Sequence, residues 1–394
     1  MNVISLFCGI GGLDIGFREE GFNIILGIDI DKYAIETSKL NYPETEFWLK
    51  DLREVEYEDL KNFLELKGLS FKDIDVIIGG PPCQSFSTGG KRLGPNDKRK
   101  TKGGDLIYEF LRIVNIVNPP IFVLENVKGL LSTALQHISF YKRLELEKQR
   151  IELPFEYQKG SFFKKLLSDI EAIGYKPFFK VLNAADYGSP QKRERLFIVG
   201  VRKDINVEFK FPSPTHGNPE KYKKEISAGL LEPWVTLKDA IADLKNQQHE
   251  FLNFPPSWGK YMQYIPEGGC WINLPSHLQK EVLKGAYDDP NDPEKYGKKG
   301  GRRGFLRRLA WDKPSPTLLT SPVMKGSVLG HPDENRPLSV QEYIRLQGFP
   351  QDFKIVGSTR IKYKLLGEAV PIPLSKAIAK AVKNTLKTIY TLHK

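Results

Sequence analysis

Three short stretches carry side chains that could do chemistry. Cys83 lies in Gly79-Gly80-Pro81-Pro82-Cys83-Gln84-Ser85-Phe86-Ser87. Two proline rings fix φ and remove N–H donors, so the thiol follows a rigid step and is a candidate nucleophile. The plainer reading, a small buried hydrophobe, fits a lone cysteine elsewhere but not this setting. Glu125 opens Glu125-Asn126-Val127 at the end of the apolar run Ile121-Phe122-Val123-Leu124. A carboxyl there is expected to have a raised pKa and could act as an acid near neutral pH, against the alternative of a helix cap. In Gln191-Lys192-Arg193-Glu194-Arg195, strand alternation would put Gln191, Arg193 and Arg195 on one face, suited to an anionic or carbonyl-rich ligand.

Position comes from the elements around them. Val76-Ile77-Ile78 reads as a buried parallel strand, which puts Cys83 at a carboxyl end, where open α/β sheets bind ligands. A first strand, Asn2 to Phe7, runs into Phe7-Cys8-Gly9-Ile10-Gly11-Gly12, a turn that allows close approach of a ligand and is followed by a helix N-terminus. A second strand, Asn23 to Gly27, ends in Ile28-Asp29-Ile30-Asp31, and a third, Phe47-Trp48-Leu49, ends at Asp51. The glycines alone fit a dinucleotide dehydrogenase, a methyltransferase or an empty turn. Two acidic strand ends favour an adenosine-bearing cofactor. Periodicity predicts helices over 105–118 and 162–173, strands over 178–183 and 196–201, and a charged, helical-pattern excursion over 132–158. Ser339 and Glu342 form a capping box before another helix, and a last helix begins near Pro373 with Leu374, Ile378, Val382 and Leu386 on one stripe.

Two glycine-rich basic stretches remain. Residues 88–104, with Lys91, Arg92 and Lys98 to Lys102, read as a mobile lid beside Cys83. The stretch from Lys298 to Arg308 carries Arg302, Arg303, Arg307 and Arg308, side chains suited to phosphates and guanine edges. The 394-residue chain has a net charge of +11, which favours a polyanionic partner. Its 3 cysteines, Cys8, Cys83 and Cys270, are too scattered for a disulfide framework or a zinc site and suggest a reducing compartment. No stretch is apolar enough to cross a membrane, and no targeting leader is recognised.

Together with Arg336 to Pro350, these motifs resemble, in order and over nearly the whole chain, those of the C5-cytosine DNA methyltransferase family. The resemblance implies a Rossmann-like α/β catalytic domain with a mixed, mostly parallel sheet over 1–203 and 355–394. It implies a smaller irregular target-recognition domain over 204–335 and a hinge over 336–354. The implied cofactor is S-adenosylmethionine, converted to S-adenosylhomocysteine without a metal. Phe7, Gly9, Ile10, Gly11, Gly12, Asp29, Ile30, Asp51, Leu52, Pro82, Leu106, Glu368 and Val370 would line its site. Glu368 stands where the family most often has Asn. The implied catalytic set is Cys83, Glu125, Arg193 and Arg195. The implied DNA contacts are Ser85, Ser87, Lys91, Arg92, Gln191, Arg302, Arg303, Arg307, Arg308 and Thr317.

The chemistry follows from cytosine itself. C5 becomes nucleophilic when a Cys83 thiolate adds to C6, with Glu125 at N3 and the arginines at O2 stabilising the charge. The base must first leave the stack. A dehydrogenase does not explain these motifs together. The RNA-directed branch typically carries Cys-Phe-Thr, whereas Cys270 is followed by Trp271-Ile272. The intact catalytic set argues against an inactive DNA-binding regulator. The expected protein is a monomeric prokaryotic cytoplasmic enzyme that acts on double-stranded DNA and is paired with a restriction endonuclease.

Overall fold

The computed structural model describes residues 1–82, 105–136, 138, 145–146, 148–149, 151–245, 247–283, 306–324 and 328–392. Cys83, Ser85, Ser87, Lys91, Arg92, Arg302 and Arg303, with the expected lid 88–104, lie outside them. The chain divides into two compact units. The first comprises Met1–Asn183, Glu194–Ser213 and Ile372–Lys394; the second comprises Ala184–Arg193 and Pro214–Pro371.

In the first unit, strand and helix alternate because short β-branched runs are separated by amphipathic stretches. The elements are β1 (Asn2–Leu6), α1 (Gly12–Glu19), β2 (Asn23–Asp29), α2 (Lys32–Asn41), β3 (Glu46–Leu49), α3 (Tyr57–Leu66), β4 (Ile74–Gly79), α4 (Asp105–Val117), β5 (Ile121–Val127), α5 (Ser161–Ala172) and β6 (Tyr175–Asn183). After the excursion Ala184–Arg193, which contains the two-residue β7 (Gln191–Lys192), β8 (Glu194–Arg202) completes a seven-stranded sheet. Its order is β3-β2-β1-β4-β5-β8-β6. The first five strands are parallel, and β8 runs antiparallel to both β5 and β6. Ile4, Leu6, Val76, Ile77, Ile78, Val123 and Leu124 are fully buried, as continuous apolar runs in a two-sided sheet must be. Helix α4 closes over them with Phe110 edge-on to Phe122 at 5.8 Å. Within the expected helical excursion over 132–158, residues 133–136 and 151–154 are not helical. There the charge pattern offers no apolar stripe to bury.

Register gathers the functional strand ends at one edge. Leu6 pairs with Ile28 and with Gly79, and Gly79 pairs with Leu124. Phe7, Asp29, Gly80 and Glu125 therefore emerge next to one another. The packing tolerates little here: a Cβ on Gly79 would lie 2.4 Å from the Leu6 carbonyl oxygen.

In the second unit, regular structure is sparse. Its pairings are two-residue strands: Arg307–Arg308 with Leu329–Gly330, His216–Gly217 with Glu232–Pro233, and β7 with Ser315–Pro316. A small core forms around Trp258, Met262, Ile265, Leu306 and Val328. Polar bonds do much of the remaining work. Arg336 donates from Nη1 and Nη2 to Glu342 at 2.9 and 2.8 Å, and Glu342 also completes the capping box with Ser339. Helix Val340–Gln347 ends at Gly348 in the left-handed conformation. Residues 336–371, expected to form a hinge and part of the catalytic domain, cluster with this unit instead. Tyr343 of that helix packs edge-on against Tyr363 at 4.9 Å, and both are buried.

Candidate active site

The first strand leaves the sheet through a strained turn. Phe7 has φ 54°, Gly9 has φ 53° and Gly11 has φ 85°. Phe7 adopts this uncommon conformation with a side chain, a feature that clusters at functional sites. The turn is held by main-chain and acidic partners. Gly11 donates to the Cys8 carbonyl at 2.9 Å, and Gly9 donates to Asp29 Oδ2 at 2.9 Å. The other Asp29 oxygen accepts from the Asp31 amide at 2.8 Å. Under the turn, buried Asp14 accepts from Ser5 Oγ at 2.6 Å. Burial pushes the Asp14 carboxyl up to about 6. The Cys8 thiol is also pushed up, first by burial and then by Asp29 and Asp14, which makes it an inert packing group.

The surroundings suit an adenosine-bearing ligand. Among the described residues, a Cβ built on Gly9 meets nothing within 4 Å, so they leave space open over the turn. Ile30, immediately after Asp29, is 67% exposed, an apolar surface available for a flat ring. Leu52 is buried, Leu106 half-buried and Pro82 exposed. Asp51 caps the short turn Leu52–Glu54 and accepts from Arg53 Nε at 2.9 Å. Its Oδ1 also accepts the Arg53 amide at 3.1 Å, and Oδ2 accepts from Arg53 Nη2.

The candidate acid, Glu125, sits on the end of β5. Glu125 and Arg195 form an ion pair, Nε to Oε1 at 2.8 Å, with side chains 11% and 14% exposed. The antiparallel course of β8 explains the meeting: Glu125 pairs with Phe197 and Val127 with Arg195, so the start of β8 lies beside the end of β5. On that shared face, diagonal neighbours can touch. Gly80 leaves room for the carboxylate, since a Cβ there would stand 2.8 Å from Glu125 Oε2. Asn126, given no role from the sequence, donates from Nδ2 to the Pro81 carbonyl at 3.2 Å and accepts the Val127 amide at 2.9 Å. It thus ties the Pro-Pro step that precedes Cys83 to the strand carrying Glu125. The Glu-Asn-Val signature was the available signal, but only the fold identifies its target.

Several sequence assignments need correction. Gln191, Arg193 and Arg195 do not share one strand face. The strand breaks at Arg193: β7 pairs with Ser315–Pro316, whereas β8 joins the large sheet. Gln191 is fully buried, donates to Gln347 Oε1 at 2.9 Å and accepts the Leu318 amide at 3.0 Å, so its amide is engaged inside the unit instead of facing DNA. Arg193, 2% exposed, donates to the carbonyls of Leu318, Gly367 and Glu368 at 3.1, 2.9 and 3.2 Å. It ties these carbonyls together, and Arg195 stands with Glu125. Arg308 is buried as well, donating to the carbonyls of Ile265, Met262 and His331 at 2.7, 2.6 and 2.9 Å. It is therefore removed from the expected DNA contacts. Arg307 and Thr317 are half-buried; Thr317 Oγ1 donates to the Lys192 carbonyl at 2.8 Å. Glu368 is exposed and pairs with Lys364 at 3.3 Å, while Val370 is buried.

A mostly parallel sheet whose carboxyl edge carries a glycine turn, an acidic second-strand end and a Glu–Arg pair is that of a Rossmann-like methyltransferase. The chain belongs to the C-5 cytosine-specific DNA methylase family, whose model matches residues 1–147 and 155–384. It is 34% identical over 397 residues to the type II methyltransferase M.Eco47II of Escherichia coli, covering 98% of this chain and 80% of that protein. It is 34% identical over 394 residues to M.FnuDI of Fusobacterium nucleatum, covering 98% and 95%. The fold is shared with the solved methyltransferase EhMeth of Entamoeba histolytica at a TM-score of 0.57 and 15% identity, over 98% of each chain.

Proposed function

We propose that this cytosine-5 DNA methylase transfers the methyl group of S-adenosylmethionine to a flipped-out cytosine in a short duplex sequence, through a covalent Cys83 adduct. The Glu125–Arg195 pair carries the reading. A carboxyl on the strand beside the one that leads to Cys83 stands 2.8 Å from a guanidinium on the next strand over. The Cys83 thiolate adds to C6, breaking the C5–C6 double bond. Glu125 holds a proton at N3 and Arg195 donates to O2 as negative charge spreads over the ring. When bound, S-adenosylmethionine supplies an electrophilic methyl group. Asp29 would hold its ribose hydroxyls, Ile30 and Leu52 its adenine face, and Asp51 the adenine's polar edge. A base then removes the C5 proton, and Cys83 leaves as the double bond re-forms.

The second unit is the target-recognition unit in this reading. Arg307 and Thr317, with Arg302 and Arg303, remain its proposed DNA contacts, and the net charge of +11 favours salt-dependent association. The type II relatives support a partner restriction endonuclease of the same specificity.

Bisulfite sequencing of plasmid DNA from expressing cells tests the activity. Protected cytosines within one recurring short sequence are expected, and uniform conversion refutes it. Cys83→Ser should abolish transfer while retaining cofactor binding. Glu125→Gln should lower kcat by about 10²-fold or more with DNA affinity within a fewfold of wild type; a collapse of affinity instead makes Glu125 structural.

A further inference from the structure

The glycine turn is gripped from the far end of the chain. Helix α1 packs against the C-terminal helix Ile372–Leu392 so closely that side chains are excluded at the crossing. A Cβ on Gly16 would lie 2.0 Å from Ser375 Oγ and 2.5 Å from the Lys376 amide nitrogen. Into this hollow Ser375, fully buried, projects its hydroxyl. The hydroxyl lies 2.8 Å from the Gly12 carbonyl and 3.0 Å from that of Ile372, within its own helix. At the other end of α1, Lys383 Nζ donates to the Glu20 carbonyl at 2.5 Å, and Lys376 pairs with Glu19 at 2.9 Å. The C-terminal helix therefore touches α1 at both termini, and Ser375 is the residue whose hydroxyl meets the Gly12 carbonyl beside the turn.

A carbonyl held on one side of a trans peptide plane fixes the N–H on the other. The plane of the Gly12 carbonyl contains the Leu13 amide. That amide belongs to the first turn of α1 and has no carbonyl one helical turn behind it. Such amides are what an approaching polar ligand meets. Gly12 lacks a Cβ, so its peptide has more freedom to rotate than any other residue's would, and an external restraint has the most to contribute.

We infer that Ser375 is a positioning residue for the cofactor turn, setting the Gly12–Leu13 peptide plane from the C-terminal helix. The inference rests on the cofactor reading given above. In the full chain, Ser375→Ala should weaken S-adenosylmethionine binding, measured by calorimetry, by about fivefold, the value of one buried hydrogen bond. The kcat at saturating cofactor and the KM for DNA should stay at wild-type values. Lys383→Met, which cuts the contact at the distal end of α1, should lower the melting temperature and leave cofactor affinity unchanged.

A Ser375→Ala affinity within twofold of wild type overturns the proposal. So does a Lys383→Met variant that loses affinity equally, because helix docking would then be the cause and not the hydroxyl. If the alanine variant does not fold, Ser375→Cys keeps the volume with a weaker donor and is read by the same criteria. Wild-type protein that binds no S-adenosylmethionine removes the cofactor reading and this inference with it, whereas binding by wild type with no effect at Ser375 removes this inference alone.

Discussion

Arg308→Ala separates the structural reading of the basic stretch from the DNA-binding one. Arg308 donates to the carbonyls of Ile265, Met262, His331, Pro332 and Glu334 and to Asn335 Oδ1, all between 2.5 and 3.2 Å. It is 5% exposed. Burial pushes the guanidinium pKa down against the opposing charge of Asp333, and the carbonyl cage replaces the hydrogen bonds of water. Hydrogen bonds to a charged group are worth roughly 1.5–3 kcal/mol each, but they share one side chain and are not additive. Water entering the vacated space recovers part of the loss, so about 3–5 kcal/mol of destabilisation is expected, typical of a broken buried network. For a unit of this size that is a fall in melting temperature on the order of 10 °C. Differential scanning calorimetry of the full chain reads it, with Arg307→Ala, the half-buried neighbour, as control. An Arg308→Ala protein of unchanged stability whose DNA affinity falls with a shallower salt dependence would refute the argument.

Two further outcomes follow from the core and the turn. Gly79→Ala forces a Cβ to within 2.4 Å of the Leu6 main-chain oxygen, which cannot move without unpairing β1 from β4; a loss of about 3 kcal/mol or more is expected in urea unfolding. Asp14 has its carboxyl raised to about 6 in the fold from an ordinary 3.8, a difference of roughly 3 kcal/mol between protonation states. The protonated form is favoured by folding, so this contribution is complete below about pH 4 and is lost as pH rises through 6. Asp14→Asn removes the dependence. Its stability relative to wild type should therefore rise between pH 4 and 7, and a flat difference across that range counts against the assignment.

Much of the site was legible in local sequence. The apolar runs Val76–Ile78 and Ile121–Leu124 identify two-sided parallel strands because nothing else buries such short β-branched segments. The glycines and acids that follow strand ends mark the ligand edge through the topology rule for open sheets. The capping box at Ser339 and the C-terminal stripe were equally readable, since caps and stripes are set by neighbours within a few residues. Arg193 and Arg308 show where that reading stops. Composition marks an arginine among glycines as a polyanion contact, but a guanidinium also suits clustered main-chain carbonyls, and which use prevails depends on burial.

The sequence by itself therefore determined the class of fold, the order of the motifs and the chemistry proposed for Cys83, Glu125 and Arg195. These follow from residue type and short-range spacing. Tertiary structure decided that Arg195 meets Glu125, that Asn126 holds the Pro81 carbonyl, and that Ser375 reaches Gly12 across 363 positions of chain. Such contacts join segments remote in sequence, and no local periodicity encodes them. Their geometry exists only once strand register and helix packing have brought the segments together.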